Sequence, residues 1–136
     1  MSFGVAVHVM LALAYNEDRR LNSKQLAASI GANPVTIRRV VAQLAAADLV
    51  DTQSGPKGGA RLAKPAEEIH LNEVLDALGQ PRWVQGHDNK PNPECIVSVC
   101  MPRIMYRLND AIDAQAQPFL QRTTQRDLVD EEIQPA

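Results

Sequence analysis

The fold is decided by residues 23–50, which read SKQLAASIGANPVTIRRVVAQLAAADLV. Ser23 is a suitable N-cap for a short helix, because its hydroxyl can accept a hydrogen bond from a free backbone amide of the first turn. Gly31 can adopt the left-handed conformation that closes such a helix, and Asn33 followed by Pro34 is a typical start for the next one. These signals predict two helices joined by a tight turn, which is the arrangement of a helix-turn-helix.

A hairpin is predicted directly after the second helix. Residues 49–52 and 60–63 can form short strands, and the turn between them, residues 53–59, contains three glycines and a proline. A short amphipathic helix at 69–78 follows, and Gly79 ends it. The sequence therefore predicts a mainly α protein, a winged helix-turn-helix of three helices with a two-stranded β-wing.

Both ends of the chain carry helices whose apolar surface needs cover. Residues 5–15 are apolar nearly all round, so a helix there requires burial on more than one face. A long helix is predicted near the C-terminus, because apolar residues recur at steps of four and three between residues 97 and 119, interrupted by Gln115. Pro102 and Pro118 must each begin, end or kink this helix.

Length and composition indicate one compact domain. A chain of 136 residues with 45% hydrophobic and 22% charged residues is too apolar for wholesale disorder. Within it we expect a winged-helix DNA-binding region at 1–79, a loop with two cysteines at 80–101, and a long helix with a tail at 102–136. The N-terminal apolar run is shorter than a bilayer span and lacks a basic leader. We therefore expect a cytoplasmic location and no membrane partner.

Basic residues are concentrated in the predicted winged helix. Residues 19–64 hold eight lysines and arginines against two acids, although the whole chain has 14 basic and 16 acidic residues. Such a segment predicts a surface for a polyanion, with the second helix in the major groove of double-stranded DNA and the hairpin on the phosphates. The expected contacts are Asn33, Thr36, Arg38, Arg39 and Gln43 on the helix, and Lys57, Gly58 and Arg61 on the hairpin.

Other interpretations of these residues stay open. They could simply be the solvated faces of a helix and a hairpin, or the winged helix could bind a protein instead of DNA. An enzyme is not expected, because there is no phosphate-binding glycine loop and no metal-spaced set of histidines and carboxylates. Cys95 with His87 is the nearest approach to a nucleophile and its base, and no third residue is evident to orient them. We expect neither catalytic residues nor a metal site.

Over almost its whole length the sequence resembles the Rrf2 family of bacterial winged-helix transcription regulators. The resemblance is carried by residues 25–30, 33–40, 44–50, 55–62 and 65–69. It implies a homodimer, in which the long C-terminal helix is a dimerisation helix that crosses onto the partner. It also implies that the two winged helices read a palindromic operator, and that the protein acts as a repressor.

The resemblance further implies a sensor between the winged helix and the long helix. Several family members bind an iron–sulfur cluster through three cysteines, but here the third position falls at Tyr106. Cluster ligation normally requires four ligands, so His8, His87 and Glu94 would have to fill in beside the two cysteines; we expect no cofactor and keep the cluster as the alternative.

Residues 87–95 are similar instead to a cluster-free branch of the family, with a His-Asp-Asn stretch that leads to a single cysteine. This similarity favours Cys95 and His87 as the sensor region for an oxidant or small-molecule effector, with Cys100 as an accessory or a filler. A position just ahead of a long helix would favour oxidation or alkylation of Cys95.

Overall fold

The computed structural model describes residues 3–79, 83–87 and 89–133. The elements are helices α1 (Phe3–Tyr15), α2 (Ser23–Ile30), α3 (Pro34–Ala46), α4 (Leu71–Ala77), α5 (Ile96–Arg122) and α6 (Gln125–Glu132), strands β1 (Val50–Gln53) and β2 (Gly59–Leu62), and a 3-10 turn, Ala66–Glu68. The two strands are antiparallel. The predicted winged helix-turn-helix with a long C-terminal helix is confirmed. No helix in the described ranges has the length and apolar character that a bilayer crossing requires.

The turn between α2 and α3 forms as the sequence predicts. Gly31 has a φ of 75° and closes α2 in the left-handed conformation. The Asn33 side chain accepts a hydrogen bond from the Val35 amide at 2.8 Å, and Pro34 is the first residue of α3. These are local interactions, so they do not depend on the rest of the fold.

The start of α2 differs by one residue from the prediction. The N-cap is Asn22 and not Ser23, which is the first helical residue. The Asn22 side chain accepts from the Gln25 amide at 2.8 Å, while the Gln25 side chain accepts from the Asn22 amide at 2.9 Å. This reciprocal pair is a capping box, and it satisfies two backbone donors where a serine cap alone would satisfy one.

The core is built around α1. This helix contacts α2, α3, α4, α6 and β2, so its apolar surface is covered from several sides within the chain. The fully buried large side chains include Met10 and Leu13 of α1 together with Ile37 and Leu44 of α3. The packing holds one side of α3 against the core and leaves the other side outward.

The long helix covers the apolar pattern expected from residue 97, but the boundary expected at residue 102 is too late. It starts at Ile96, so the loop expected over residues 80–101 ends at Cys95, and Cys100 lies inside the helix. The Val99 amide donates to the Cys95 carbonyl at 3.0 Å, which places helical hydrogen bonding ahead of Pro102. Pro102 and Pro118 are both inside α5 and neither bounds it. Residues 80–82 and Asp88, also part of the predicted loop, lie outside the described residues.

The C-terminal part of the chain returns to the winged helix. The Leu71 amide donates to the Thr123 carbonyl, and the Gln125 amide donates to the Ile69 carbonyl, both at 2.9 Å. In α6, Arg126 pairs with Glu17, which follows α1, at 2.7 Å. The end of α5 and the start of α6 are thereby fixed to the body that carries α3.

Glu73 joins the segment after β2 to the start of α4. It accepts hydrogen bonds from the His70 amide and from Lys64 Nζ, each at 2.8 Å. Burial raises the pKa of Glu73, but these hydrogen bonds and the Lys64 charge outweigh burial, so the pKa lies below its ordinary value of 4.5. The contribution of this carboxylate to stability is therefore present above pH 4.5 and is lost as the pH falls through the lowered pKa.

A buried amide suggests a way to stabilise the fold. Gln125 is fully buried, and neither its Nε2 nor its Oε1 has a hydrogen-bond partner among the described residues. An unpaired buried polar group costs about 1–3 kcal/mol. We expect Gln125→Met, which keeps the volume and removes the amide, to raise the free energy of unfolding by about that amount in urea denaturation followed by circular dichroism.

Gln121→Met is the matched control, because Gln121 is exposed on α5. We expect no such gain from it. Equal midpoints for Gln125→Met and the unmodified protein would contradict the assignment of an energetic cost to this side chain.

Candidate nucleic-acid interface

The side of α3 that faces away from the core carries the predicted helix contacts. Ile37, Val40 and Leu44 are buried beneath it. Asn33, Arg38 and Arg39 are exposed, and Thr36 and Gln43 are half-buried. Val35 is 65% exposed at the first turn, and sequence reasoning did not assign it.

The two arginines of α3 point in different directions. At about 100° per residue, Arg39 shares one flank of the helix with Thr36 and Gln43, and Arg38 lies on the opposite flank. Val35 projects most directly away from the buried side. The outward side of α3 therefore has three parts. Thr36, Arg39 and Gln43 form a polar row, Val35 is an outward apolar side chain, and Arg38 is a separate cation.

The wing is held close to the chain before α2. Leu21 and Ala60 exchange backbone hydrogen bonds of 3.0 and 2.8 Å, which extends the hairpin by a third segment. Gly59 has a φ of 133°, and a Cβ there would lie 2.7 Å from the Leu21 backbone. A Cβ on Gly58 would overlap the carbonyl of Gln53. Both glycines are thus required for the shape of the wing.

Arg20 braces the wing from within. Its side chain is only 17% exposed, and its Nη1 donates to the carbonyls of Asp51 and Gly59, both at 3.1 Å. Its Nη2 donates to Asp51 Oδ2 at 2.7 Å. One guanidinium therefore joins β1 to β2, a role that sequence reasoning missed. No sequence pattern near Arg20 indicates this role, because its partners Asp51 and Gly59 lie 31 and 39 residues away in the chain.

The remaining wing cations are more open. Lys57 is exposed at the turn. Arg61 on β2 is 56% exposed, with its Nε 3.8 Å from Asp51 Oδ2, so part of its charge is offset. Lys64 is engaged by Glu73 at 2.8 Å. The basic segment consequently contains two structural cations, Arg20 and Lys64, beside those that face solvent.

The predicted sensor residues lie around the start of α5. Cys95 is the N-cap residue, Cys100 follows in the helix, and both are half-buried free thiols. Residues five apart in a regular helix have Cα atoms about 8–9 Å from each other, beyond the limit of about 7 Å for a disulfide. His87 lies in the preceding loop and lines a cavity that neither cysteine lines.

Comparison with known proteins gives the following matches. A family model described as Rrf2, an iron-dependent transcriptional regulator, matches residues 2–131. YwnA of Bacillus subtilis is 32% identical over 93 residues, 68% of this chain and 68% of that protein. The HTH-type transcriptional regulator NsrR of Geobacillus kaustophilus is 30% identical over 115 residues, 80% of this chain and 74% of NsrR. The crystal structure of Staphylococcus aureus CymR matches with a TM-score of 0.67 at 23% identity, covering 98% of both chains.

The described residues of one chain do not fit an iron or iron–sulfur site. In the part of the chain that the structure describes, no group of three His, Cys, Asp or Glu residues is placed to hold a metal ion. The sequence offers two cysteines, and Tyr106 occupies the third position of the cluster pattern. His8 lies apart on α1, with its Nε2 3.1 Å from the Ser29 hydroxyl of α2.

The brace formed by Arg20 generates a prediction. Hydrogen bonds to charged groups contribute about 1.5–3 kcal/mol each when well shielded, and Asp51 is half-exposed, so we expect Arg20→Ala to lower the free energy of unfolding by about 1–2 kcal/mol. The backbone amides of Leu21 and Ala60 should then exchange hydrogen faster, as measured by NMR.

Arg19→Ala removes the same charge from the neighbouring position, where the guanidinium makes a single 3.2 Å contact with Asn16. It should leave both amides protected. Equal protection in the two variants would show that Arg20 does not brace the wing.

Proposed function

The chain belongs to the Rrf2 family of transcriptional regulators, and from this premise we propose that it is a homodimeric repressor that reads a palindromic DNA operator. The observation that carries the proposal is the outward side of α3 beside a basic wing. A helix of this kind fits the major groove, and the wing then lies along the flanking phosphates.

We assign base contacts to the polar row of α3. Arg39 is suited to guanine edges, Gln43 to adenine, and Thr36 to either. Exposed Val35 is suited to contact a thymine methyl group, because an apolar side chain at this position has no partner to cover it in the described chain. The Asn33 side chain lies at the helix N-terminus, beside the phosphate that such a terminus attracts.

Phosphate contacts fall to the flanking residues. Arg38 lies on the far flank of α3, and Lys57 and Arg61 belong to the wing, where Gly58 lets the turn approach the phosphates closely while its amide donates to the Gly55 carbonyl at 2.9 Å. The phosphate contacts supply affinity that depends on salt but carry little sequence information. A protein-binding winged helix would not show that dependence on double-stranded DNA.

The dimer is supported by the uncovered surface of α5. The stripe predicted from the sequence is largely exposed in the single chain, with Val97, Ile104, Leu108 and Phe119 all open to solvent. Leu120 is the buried residue of this helix. A contiguous apolar surface of this kind is typical of an interface. Pairing two chains through α5 would set two α3 helices at about 34 Å, or a multiple, for successive major grooves.

We assign the sensor for an oxidant or small molecule to the start of α5. Cys95 caps the helix that carries the dimer stripe, and His87 lies on the loop that leads to it. Oxidation or alkylation of Cys95 would add bulk and polarity at this helix end. A change there would be transmitted to the dimer geometry and so to the spacing of the recognition helices.

Arg39→Ala tests recognition. We expect it to weaken binding to the selected operator by about 1–3 kcal/mol and to leave binding to unrelated duplex nearly unchanged, because it removes a base contact. The measurement is fluorescence anisotropy on a fragment selected from the genome of the source organism and on a scrambled duplex.

Arg38→Ala is the matched control, since it deletes the same side chain from the opposite flank. It should weaken binding to both duplexes equally and reduce the slope of log affinity against log salt by about one. Unchanged operator affinity in Arg39→Ala would remove α3 as the recognition helix.

Cys95→Ser tests the sensor. We expect the variant to bind the operator normally and to remain bound after treatment with hydrogen peroxide or N-ethylmaleimide, whereas the unmodified protein is released. Cys100→Ser should respond as the unmodified protein does, because Cys100 lies inside the helix. Release of Cys95→Ser by oxidant would transfer the sensing role elsewhere.

A further inference from the structure

A cavity of about 420 Å³ lies between loop residues 84–87 and 89–91 and one side of α5. This volume is within the range of small-molecule sites, about 300–1,000 Å³. The apolar stripe on α5 includes Met101, which is its one residue that also lines the cavity. The cavity and the stripe therefore occupy different sides of the helix. A second chain that covers the stripe would therefore leave most of the cavity uncovered.

The loop is anchored to α5 at both of its ends. Near the far end, Asn109 accepts from the Val84 amide and donates to the Val84 carbonyl, both at 2.8 Å. Trp83 Nε1 donates to Asp113 Oδ1 at 3.1 Å. Near the start of the helix, the Asn92 amide donates to the Ser98 hydroxyl at 2.8 Å. The anchors on α5 are about 22 Å apart along the helix, and Gly86, His87, Asn89 and Pro91 line the cavity between them.

The lining combines an apolar floor with negative charge. Met101 and Met105 supply apolar surface, and Tyr106 supplies an aromatic ring. Two carboxylates, Asp110 and Asp113, line the same space. Among the described lining residues, His87 is the only group that can carry a positive charge. The cavity therefore favours a cation over a neutral molecule or an anion.

The two carboxylates differ in what they already bind. Asp113 Oδ1 accepts from Trp83 and from Gln117 Nε2, the latter at 3.0 Å. Asp110 makes no hydrogen bond or ion pair with any residue in the described ranges. Asp110 is exposed at this cavity, and a carboxylate without such a partner can form a charge-assisted hydrogen bond with an ammonium group. The ring of Tyr106 can add a cation–π contact.

We propose that this cavity binds a small organic ammonium ion with an apolar body, whose charged group pairs with Asp110 and whose body lies on Met101 and Met105. The ligand acts as an effector of the regulator, and this second statement rests on the proposed function. The loop beside the cavity leads to Cys95, and α5 carries the dimer stripe. A ligand in the cavity would therefore affect both the Cys95 region and the dimer surface.

The probes are three matched sets, in which 2-phenylethyl, n-hexyl and 2-cyclohexylethyl bodies each carry an ammonium, a hydroxyl or a carboxylate. Trp83, the one tryptophan of the chain, lies at the edge of the cavity, and its fluorescence reports binding. We expect at least one ammonium to bind at least about tenfold more tightly than its alcohol, since a charge-assisted hydrogen bond contributes more than 1.4 kcal/mol. The carboxylates should bind most weakly.

Asp110→Asn is the decisive variant, because it keeps the shape and removes the charge from a residue that anchors nothing. It should abolish the preference for ammonium. Asp76→Asn removes an equal charge from the exposed surface of α4 and should preserve the preference. Absence of binding by every ammonium at about 10 mM, equal binding of the alcohols, or an unchanged preference in Asp110→Asn would overturn the site.

Operator binding in the same samples tests the regulatory part separately. A saturating ammonium should change operator affinity in the unmodified protein and leave it unchanged in Asp110→Asn. Constant operator affinity in both would overturn the role as effector. Ammonium binding by a protein that binds no duplex would contradict the proposed function and leave the cavity site standing.

Discussion

The structure depends on the burial of α1 among the other helices and the wing. Met10 and Leu13 are fully buried against residues of α3 such as Ile37 and Leu44. Each such side chain contributes about 1.5–3 kcal/mol by leaving water, and its truncation would also open a cavity. Because α1 contacts most of the other elements, its packing determines which side of α3 faces outward. The position of the proposed recognition surface therefore follows from an apolar helix that carries none of the residues assigned to it.

The electrostatics of the winged helix show how one charge pattern serves two purposes. Arg20 and Lys64 are committed to Asp51 and Glu73, and they hold the strands and the exit from the wing in place. Lys57 remains exposed at the tip. Exposed cations attract a polyanion, whereas the shielded ones position the surface that does so. Counting the basic residues alone overstates the charge that is available to DNA.

Helix α5 brings three features of the proposed function onto one element. Its first turn carries Cys95 at the cap, one side carries the exposed apolar stripe, and another side forms the floor of the cavity. A helix is stiff over its length, so a displacement at one of these places changes the others. In the dimer that we propose, this arrangement provides a physical route from an effector to the spacing of the two α3 helices.

The sequence by itself determined the elements whose signals are local. Gly31, Asn33 and Pro34 act on neighbouring backbone groups, so the helix-turn-helix and the wing were predictable, with shifts of one residue at the cap of α2 and at each of the two strands. The apolar pattern from residue 97 and the position of Cys95 ahead of the helix agree with the observed start of α5 at Ile96, and only the boundary placed at residue 102 was too late. Tertiary structure alone decided the brace by Arg20 and the cavity over α5. These features join residues far apart in the chain, and no periodicity or spacing records which distant groups packing will bring together.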